Sequence, residues 1–546
     1  MLRHAVLLFA VSGLIANAED WPRFRGPSGL GVATDSDSLP TTWSPNANLA
    51  WKAALPGPGA SSPIIVGGKV FVTCYSGYGE SRENIGKIEN LMRHLVCIDM
   101  KSGDKVWQKD VPAAQPEDKY EGAGVPAHGY ASHTPVSDGK HVYVFYGKSG
   151  VRAYDMDGNE KWYAEVGKET DPMKWGSSCS PVLHENLLIV TAAAESQSII
   201  GFDKTSGKEV WRQEAEGLDN TWGTPALVKA GHDRTDLVMF VTGEVWGMDP
   251  ATGKLRWHAE KATEAPQAYS SIVQHGKRVF AVTGRGGGSL AVDAGGKGAV
   301  ETVWKGRDSA SYASPVLHED KLYSVASNIV TVIDANTGER LDQVRIKGSM
   351  GGRGDYPSPI VVGSRLYHLN GKGQMFVFSL GDKVKQEAVS RVSAEEGENF
   401  WGTPAVSDGR MLFRSSKYLY CVTDKGETVS DEDMKLAMAK GEPQGGQNDP
   451  MRFFKMLDTD SDGKVTMEEI EGNQRFGSMA DRLKTLDKDT DGTITADEYR
   501  ENIGALMRRG GGGRGGRGGR GGGRGGYGGE KDTRPDRPQR PKSYDK

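Results

Sequence analysis

The chain has 546 residues, 74 of them glycine, with 37% hydrophobic residues and a formal net charge of −4. That length is too great for one ordinary core, and the near balance of charge excludes a nucleic-acid binder that works through overall basicity. The four cysteines, Cys74, Cys97, Cys179 and Cys421, form no C-x-x-C, which excludes a zinc ribbon and an attached c-type haem, and four in so long a chain are no disulfide framework.

The first 18 residues have the layout of a secretory signal. Arg3 and His4 give a polar start, Ala5 to Ile15 is an apolar run too short to span a bilayer, and Ala16-Asn17-Ala18 is a cleavage pattern. The expected mature chain starts at Glu19 and is exported to the periplasm or beyond. No later segment has the length and apolarity of a transmembrane helix.

From residue 19 to about 426 one unit recurs. It has a Ser/Thr-Pro step, two apolar strands about a turn, then a small residue, x, Asp, a Gly turn and Trp. The clearest copies are LVCIDMKSGDKVW, RAYDMDGNEKW, IGFDKTSGKEVW and WGMDPATGKLRW. Units open at Pro63, Pro135, Pro181, Pro225, Ile272, Pro315, Pro359 and Pro404. After a longer first unit the period is about 45 residues, all strand and turn, which specifies an eight-bladed β-propeller. Unit eight lacks its Trp strand, and NLAWKAAL before unit one supplies it, so Trp51 is expected to close the ring and remove two open edges.

The columns of this repeat are architectural. Asp99, Asp155, Asp203, Asp249, Asp293 and Asp334 precede turns, where a carboxylate accepts from nearby backbone N–H groups. Trp107, Trp162, Trp211, Trp257 and Trp304 are expected between blades. The position two before each Asp is mostly small, which makes Cys97 and Cys421 small core residues, with a Cys74–Cys97 bridge left open by export.

With the opening DWPRFRGPSGLGVA and the stretches LPTTWS and HGYASHTPVSDGKHVYVF, this repeat resembles the PQQ-like β-propeller family, in its exported planctomycete-type form. The resemblance implies one of two activities. Quinoprotein dehydrogenases hold pyrroloquinoline quinone and a metal in the propeller funnel and typically carry a vicinal Cys-Cys, which this chain lacks. The other branch resembles the scaffold lipoprotein of outer-membrane β-barrel assembly, which binds protein partners without a cofactor, although this chain has no lipid-attachment cysteine.

Blade one carries two insertions, Tyr75 to Met92 and Pro112 to Ser132, expected on the face where blades connect. On that face aromatic-polar steps recur at His128-Gly129-Tyr130, Trp175-Gly176-Ser177, Trp222-Gly223-Thr224, Tyr269-Ser270-Ser271 and Trp401-Gly402-Thr403. His128, Tyr130, Trp175, Trp222, Arg285 and Trp401 are the candidate funnel-rim residues for a planar cofactor or a sugar. Because the motif repeats with the blades, it reads more simply as the entry turn to each inner strand.

Residues 427–448 read as a linker with a short helix near Asp431, and 449–507 as a small helical EF-hand pair. LDTDSDGKVTMEE places Asp458, Asp460, Asp462, Lys464 (through its carbonyl), Thr466 and Glu469 at ligand positions. LDKDTDGTITADE repeats this with Asp487, Asp489, Asp491, Thr493, Thr495 and Glu498. Gly463 and Gly492 stand where such loops turn sharply, and the spacing supplies the six to eight oxygens that Ca2+ takes. Val465 and Ile494 are expected to join the loops. Residues 508–546, Gly/Arg-rich and then Pro-rich and charged, have too little apolar surface to fold and read as a disordered tail. The functional expectation is an exported calcium-binding propeller that serves as a scaffold for a protein or an anionic cell-surface polymer, without nucleic acid. The alternative is a PQQ-dependent oxidoreductase.

Overall fold

The computed structural model describes residues 19–33, 39–82, 85–122, 124–260, 267–284, 287–310, 312–350, 356–393, 395, 397–438, 454, 457–458, 462–472, 483–499 and 538–541. The expected signal peptide, the Gly/Gln/Pro-rich part of the linker and the Gly/Arg-rich tail lie outside them. So do Arg285 and Asp460. The chain divides into two compact units, one comprising Met1–Ala439 with Asp532–Lys546 and the other Lys440–Lys531.

The larger unit is the eight-bladed propeller. Blade one is built from Ile64–Val66, Lys69–Ser76, Met92–Asp99 and Lys105–Pro112 in antiparallel order, and seven further sheets repeat the pattern. Leu49–Ala54 pairs with Tyr418–Thr423 and puts Trp51 opposite Cys421, so the N-terminal strand completes blade eight as expected.

The register explains the small column. The small residue two before the Asp lies directly opposite the Trp of the outer strand, as in Cys97↔Trp107, Gly201↔Trp211 and Gly247↔Trp257. A Cβ on Gly247 would come within 1.9 Å of the Trp257 indole. All of these Trp except Trp257 also lie over a turn glycine of the next blade. Trp51 lies against Gly103, Trp107 against Gly158 and Trp162 against Gly207, and their indole N–H groups donate to the carbonyls of Met100, Met156 and Lys204. The Asp column holds the turns, with Asp99 accepting from the N–H groups of Lys101 and Ser102. Asp293 departs from this role. Its turn lacks the usual Ser/Thr-Gly pattern and its carboxylate pairs with Arg278 at 2.9 Å.

All four cysteines are free and buried. Cys74 stands opposite His94 and Cys97 opposite Phe71, so the bridge left open by the sequence is excluded by a three-residue offset along paired strands. The helix Asp431–Met438 belongs to the propeller unit, where Gln374 of blade seven donates to the carbonyl of Ala437 at 2.7 Å.

The opening segment fills the axis. Trp21 bridges to Ile65 on the inner strand of blade one, Pro22 accepts from Ser137 of blade two, and Val32–Ala33 adds in parallel to the inner edge of Ile360–Val362 in blade seven. Arg25 donates to the carbonyls of Leu30 and of Pro315 at the head of blade six. Residues 21–33 therefore plug the central channel.

In the smaller unit, Lys464–Thr466 and Thr493–Thr495 pair antiparallel, with Val465 opposite Ile494. These two residues join Phe454, Leu457, Ile470, Leu483, Leu486 and Tyr499 in one buried cluster.

Candidate functional site

Each inner strand begins with the hydroxyl residue of the Ser/Thr-Pro step. Around the axis these hydroxyls accept backbone N–H groups in strict succession. Ser62 N–H donates to Thr134, Thr134 to Ser180, Ser180 to Thr224 and Thr224 to Ser271, at 3.0 to 3.1 Å. Ser271 donates to Ser314, Ser314 to Ser358, Ser358 to Thr403 and Thr403 back to Ser62, at 2.8 to 3.0 Å. The ring closes on itself and ties every blade to the next. Each hydroxyl uses one lone pair in this and keeps its own proton to donate.

A cavity of about 150 Å³ stands over the ring. Its wall comes from the position two before each hydroxyl. In blades four to eight that position is Trp222, Tyr269, Tyr312, Tyr356 and Trp401, while in blades one to three it is Ala60, Ser132 and Ser178. From Trp175 to Tyr356 the aromatics form a continuous arc. Trp175 lies 6.1 Å from Trp222, which stacks on Tyr269 at 5.2 Å and 19°. Tyr269 meets Tyr312 edge-on at 5.0 Å, and Tyr312 lies 4.8 Å from Tyr356. Phe24 of the axial plug also lines the cavity.

Of the rim residues named from sequence, His128, Trp175, Trp222 and Trp401 line this cavity. Tyr130 does not. Its ring is buried with Tyr75 and Tyr78 between the two blade-one insertions, and its hydroxyl donates to the Asp118 carbonyl at 2.7 Å. Phe24, Tyr312 and Tyr356 were missed, although both tyrosines carry the same signal as Trp222, an aromatic two residues before the hydroxyl.

His128 is a structural residue. Its two ring nitrogens lie 2.6 Å from Ser132 Oγ and 2.5 Å from the Trp175 carbonyl, and burial lowers its pKa. A neutral, doubly bonded imidazole fixes the Trp175 turn and is no free base. Asp171 holds the other side of that turn, accepting from Trp175 N–H at 2.9 Å and Gly176 N–H at 2.6 Å. Burial raises its carboxyl to about 6.

Beside the cavity lies a second, smaller pocket of about 40 Å³ lined largely by polar side chains. Two buried ion pairs border it, Arg93–Glu117 at 2.5 Å and Lys148–Asp118 at 2.7 Å. At its far end Ser177 Oγ donates to Glu195 Oε1 at 2.5 Å and lies 3.0 Å from His133 Nε2. The serine stands between the acid and the histidine, so the histidine is not held by the acid as a nucleophile's base must be. Burial raises Glu195 to about 7 and lowers His133 to about 3, which leaves both groups inclined to neutrality.

Pyrroloquinoline quinone is a tricarboxylate, and with a metal it needs cations, acids or amides around it. Among the described residues lining the funnel cavity none is Asp, Glu, Asn, Lys or Arg. These residues do not fit the quinone. They suit a neutral ligand that stacks on aromatic faces and accepts hydrogen bonds.

The smaller unit carries carboxylates around two turns. Asp487, Asp489 and Asp491 each bring an oxygen within 4.8 Å of the others. Asp487 Oδ1 is buried without a hydrogen-bond partner among the described residues, as a ligand oxygen awaiting a cation would be. Gly463 and Gly492 adopt φ of 87° and 90°, and their N–H groups donate to Asp458 and Asp487 at 3.1 Å. Thr466 and Thr495 each donate both N–H and O–H to the acid three residues on, Glu469 and Glu498. Asp458, Asp462, Glu469, Asp489, Asp491 and Glu498 thus face their loops in the order that calcium loops use.

Comparison with family models agrees with this architecture. The family model described as outer membrane protein assembly factor BamB matches residues 91–344. The EF-hand model matches residues 452–472 and 479–503. No curated protein matches the sequence. Among solved structures, BamB from Moraxella catarrhalis is 13% identical with a TM-score of 0.47, covering 70% of this chain and 99% of its own. A europium-containing methanol dehydrogenase is 12% identical at 0.47, covering 79% and 93%. The quinohemoprotein alcohol dehydrogenase of Comamonas testosteroni is 10% identical at 0.48, covering 77% and 85%.

Proposed function

We propose that this chain, a PQQ-like β-propeller repeat protein with a C-terminal EF-hand pair, is an exported, calcium-binding binding module that performs no redox chemistry. Its funnel mouth takes a neutral segment of a protein or of a cell-surface polymer. The observation that carries this reading is the composition of the mouth, an aromatic arc over a ring of hydroxyl donors with no ionised group among the described lining residues. Such a surface stacks on the apolar face of a sugar ring or on a peptide side chain and donates to its oxygens. It offers neither a general base nor a cation for a reacting group.

The EF-hand pair holds two Ca2+ ions through Asp458, Asp460, Asp462, Thr466 and Glu469, and through Asp487, Asp489, Asp491, Thr495 and Glu498, with the carbonyls of Lys464 and Thr493 completing the shells. Outside the cytoplasm calcium is abundant, so the pair stays loaded and acts as a folded module rather than a switch.

Titration of the full chain with neutral oligosaccharides and uncharged peptides, followed by tryptophan fluorescence, tests the mouth. Binding that weakens about tenfold or more in Trp222→Ala is expected. Stoichiometric uptake of pyrroloquinoline quinone with calcium, together with dye reduction by alcohols or sugars, would replace this reading with the oxidoreductase.

A further inference from the structure

The chain returns to the propeller near its end. Residues 538–541, Pro-Gln-Arg-Pro, lie at the rim of blade four, and both prolines are buried. Gln539 N–H donates to the Glu216 carbonyl, just past the outer strand of blade three, at 2.7 Å. Arg540 meets Glu244 in a fork, Nε to Oε2 at 2.9 Å and Nη2 to Oε1 at 2.7 Å, and Nη2 also reaches Glu260 Oε1 at 2.7 Å.

The receiving side is built for a cation. Glu244 opens the third strand of blade four, and Glu260 follows its fourth strand, so the fold brings the two carboxylates to one edge of the blade. Each carboxylate is held from behind. Trp246, fully buried, donates its indole N–H to Glu244 Oε2 at 2.7 Å, and His258 Nε2 lies 3.2 Å from Glu260 Oε1. Two acids fixed this close repel one another unless a cation sits between them. A planar guanidinium forks onto one carboxylate and reaches the second, a fixed geometry that the point charge of an ammonium does not offer. The contact with Arg540 holds the Glu260 carboxyl below the usual range and raises the guanidinium pKa. With Glu244 only 13% exposed at its side chain, the fork is better shielded from water than an ordinary surface pair.

We propose that the rim of blades three and four is a docking site for a Pro-x-Arg-Pro segment, and that this chain fills it in cis with residues 538–541. The buried prolines supply shape and a pre-set backbone, the main-chain bond to Glu216 sets register, and the arginine fork supplies selectivity. The Lys440–Lys531 unit, with its EF-hand pair, is then tethered to the propeller at both ends rather than trailing from one.

A labelled peptide of residues 532–546 tests this by fluorescence anisotropy on full-length chains. The Arg540→Ala chain has a disarmed anchor and is expected to bind the peptide. The unaltered chain is expected to bind about tenfold more weakly or less, because its own tethered segment competes at high effective concentration. Adding Glu244→Gln and Glu260→Gln to the Arg540→Ala chain should abolish binding while keeping the acceptor that Trp246 uses, and a peptide with Lys for Arg540 should lose most of its affinity. Equal binding to the unaltered and Arg540→Ala chains would overturn the cis occupancy. No binding to either, or binding indifferent to the two glutamates, would overturn the site. Self-association of the unaltered chain that Arg540→Ala abolishes would assign the segment to a second copy and overturn the proposal as stated.

Discussion

Glu195 is a carboxyl almost wholly buried beside a small pocket. It is 3% exposed, takes one hydrogen bond from Ser177, and its Oε2 has no partner among the described residues. Burial lifts its pKa from the ordinary 4.5 to about 7. The folded chain therefore binds this proton more tightly than the unfolded chain does. The resulting stability is complete below pH 4.5 and is lost as pH rises to 7, on the order of 3 kcal/mol for one fully buried group. Glu195→Gln removes that dependence. Thermal melts at pH 5 and pH 8 should show the unaltered chain losing more of its midpoint than the variant, with the variant the more stable of the two at pH 8. His133 titrates in the opposite sense. Its depressed pKa gives stability that is present above 6.5 and lost toward about 3. The two windows overlap between pH 4.5 and 6.5, and the comparison with Glu195→Gln, in which both chains keep His133, isolates the Glu195 contribution.

At the scale of elements, one serine or threonine per blade does the work of closure. Ser314 Oγ accepts the Ser271 N–H at 2.8 Å while its own N–H donates to Ser358. Ser314→Ala leaves one buried backbone N–H without an acceptor, at a cost of about 1–3 kcal/mol. The loss should appear in chemical denaturation as a lower midpoint with an unchanged slope. The Trp column works at the other edge of each blade, where an indole lies over a turn glycine of the next blade. Trp257 is the exception. It donates to Asp236 Oδ2 at 2.7 Å because blade five's turn, built from Asp293 to Gly298, lacks the usual geometry.

At the scale of the whole molecule the two compact units differ in what holds them. The propeller rests on eight sheets and a plugged axis, while the described residues of the smaller unit hold one small apolar cluster and two acidic loops. With calcium removed by a chelator, like charges in each loop face one another without a counter-ion. Calorimetry of the full chain is expected to keep the propeller transition and to lose or sharply lower that of the EF-hand unit. Glu498→Gln, which removes one charged oxygen from the second loop, should weaken one of the two calcium sites about tenfold or more in a calcium titration.

Period, composition and spacing by themselves determined the eight blades, the closure by Trp51, the turn acids, the tryptophans between blades and the EF-hand pair. These are readable because each is set by neighbours in sequence or by a repeat that recurs about every 45 residues. Tyr312 and Tyr356 were equally readable, since they stand in the same place relative to Ser314 and Ser358 as Trp222 does to Thr224. Only the tertiary structure decided the rest. It sent residues 21–33 into the axis, sank Tyr130 between two insertions, turned eight hydroxyls into one ring and put Arg540 on Glu244 and Glu260. Each of these joins residues far apart in the chain whose local sequence carries no periodic trace of the partner, and only burial and charge, acting once the blades have closed, select the contact.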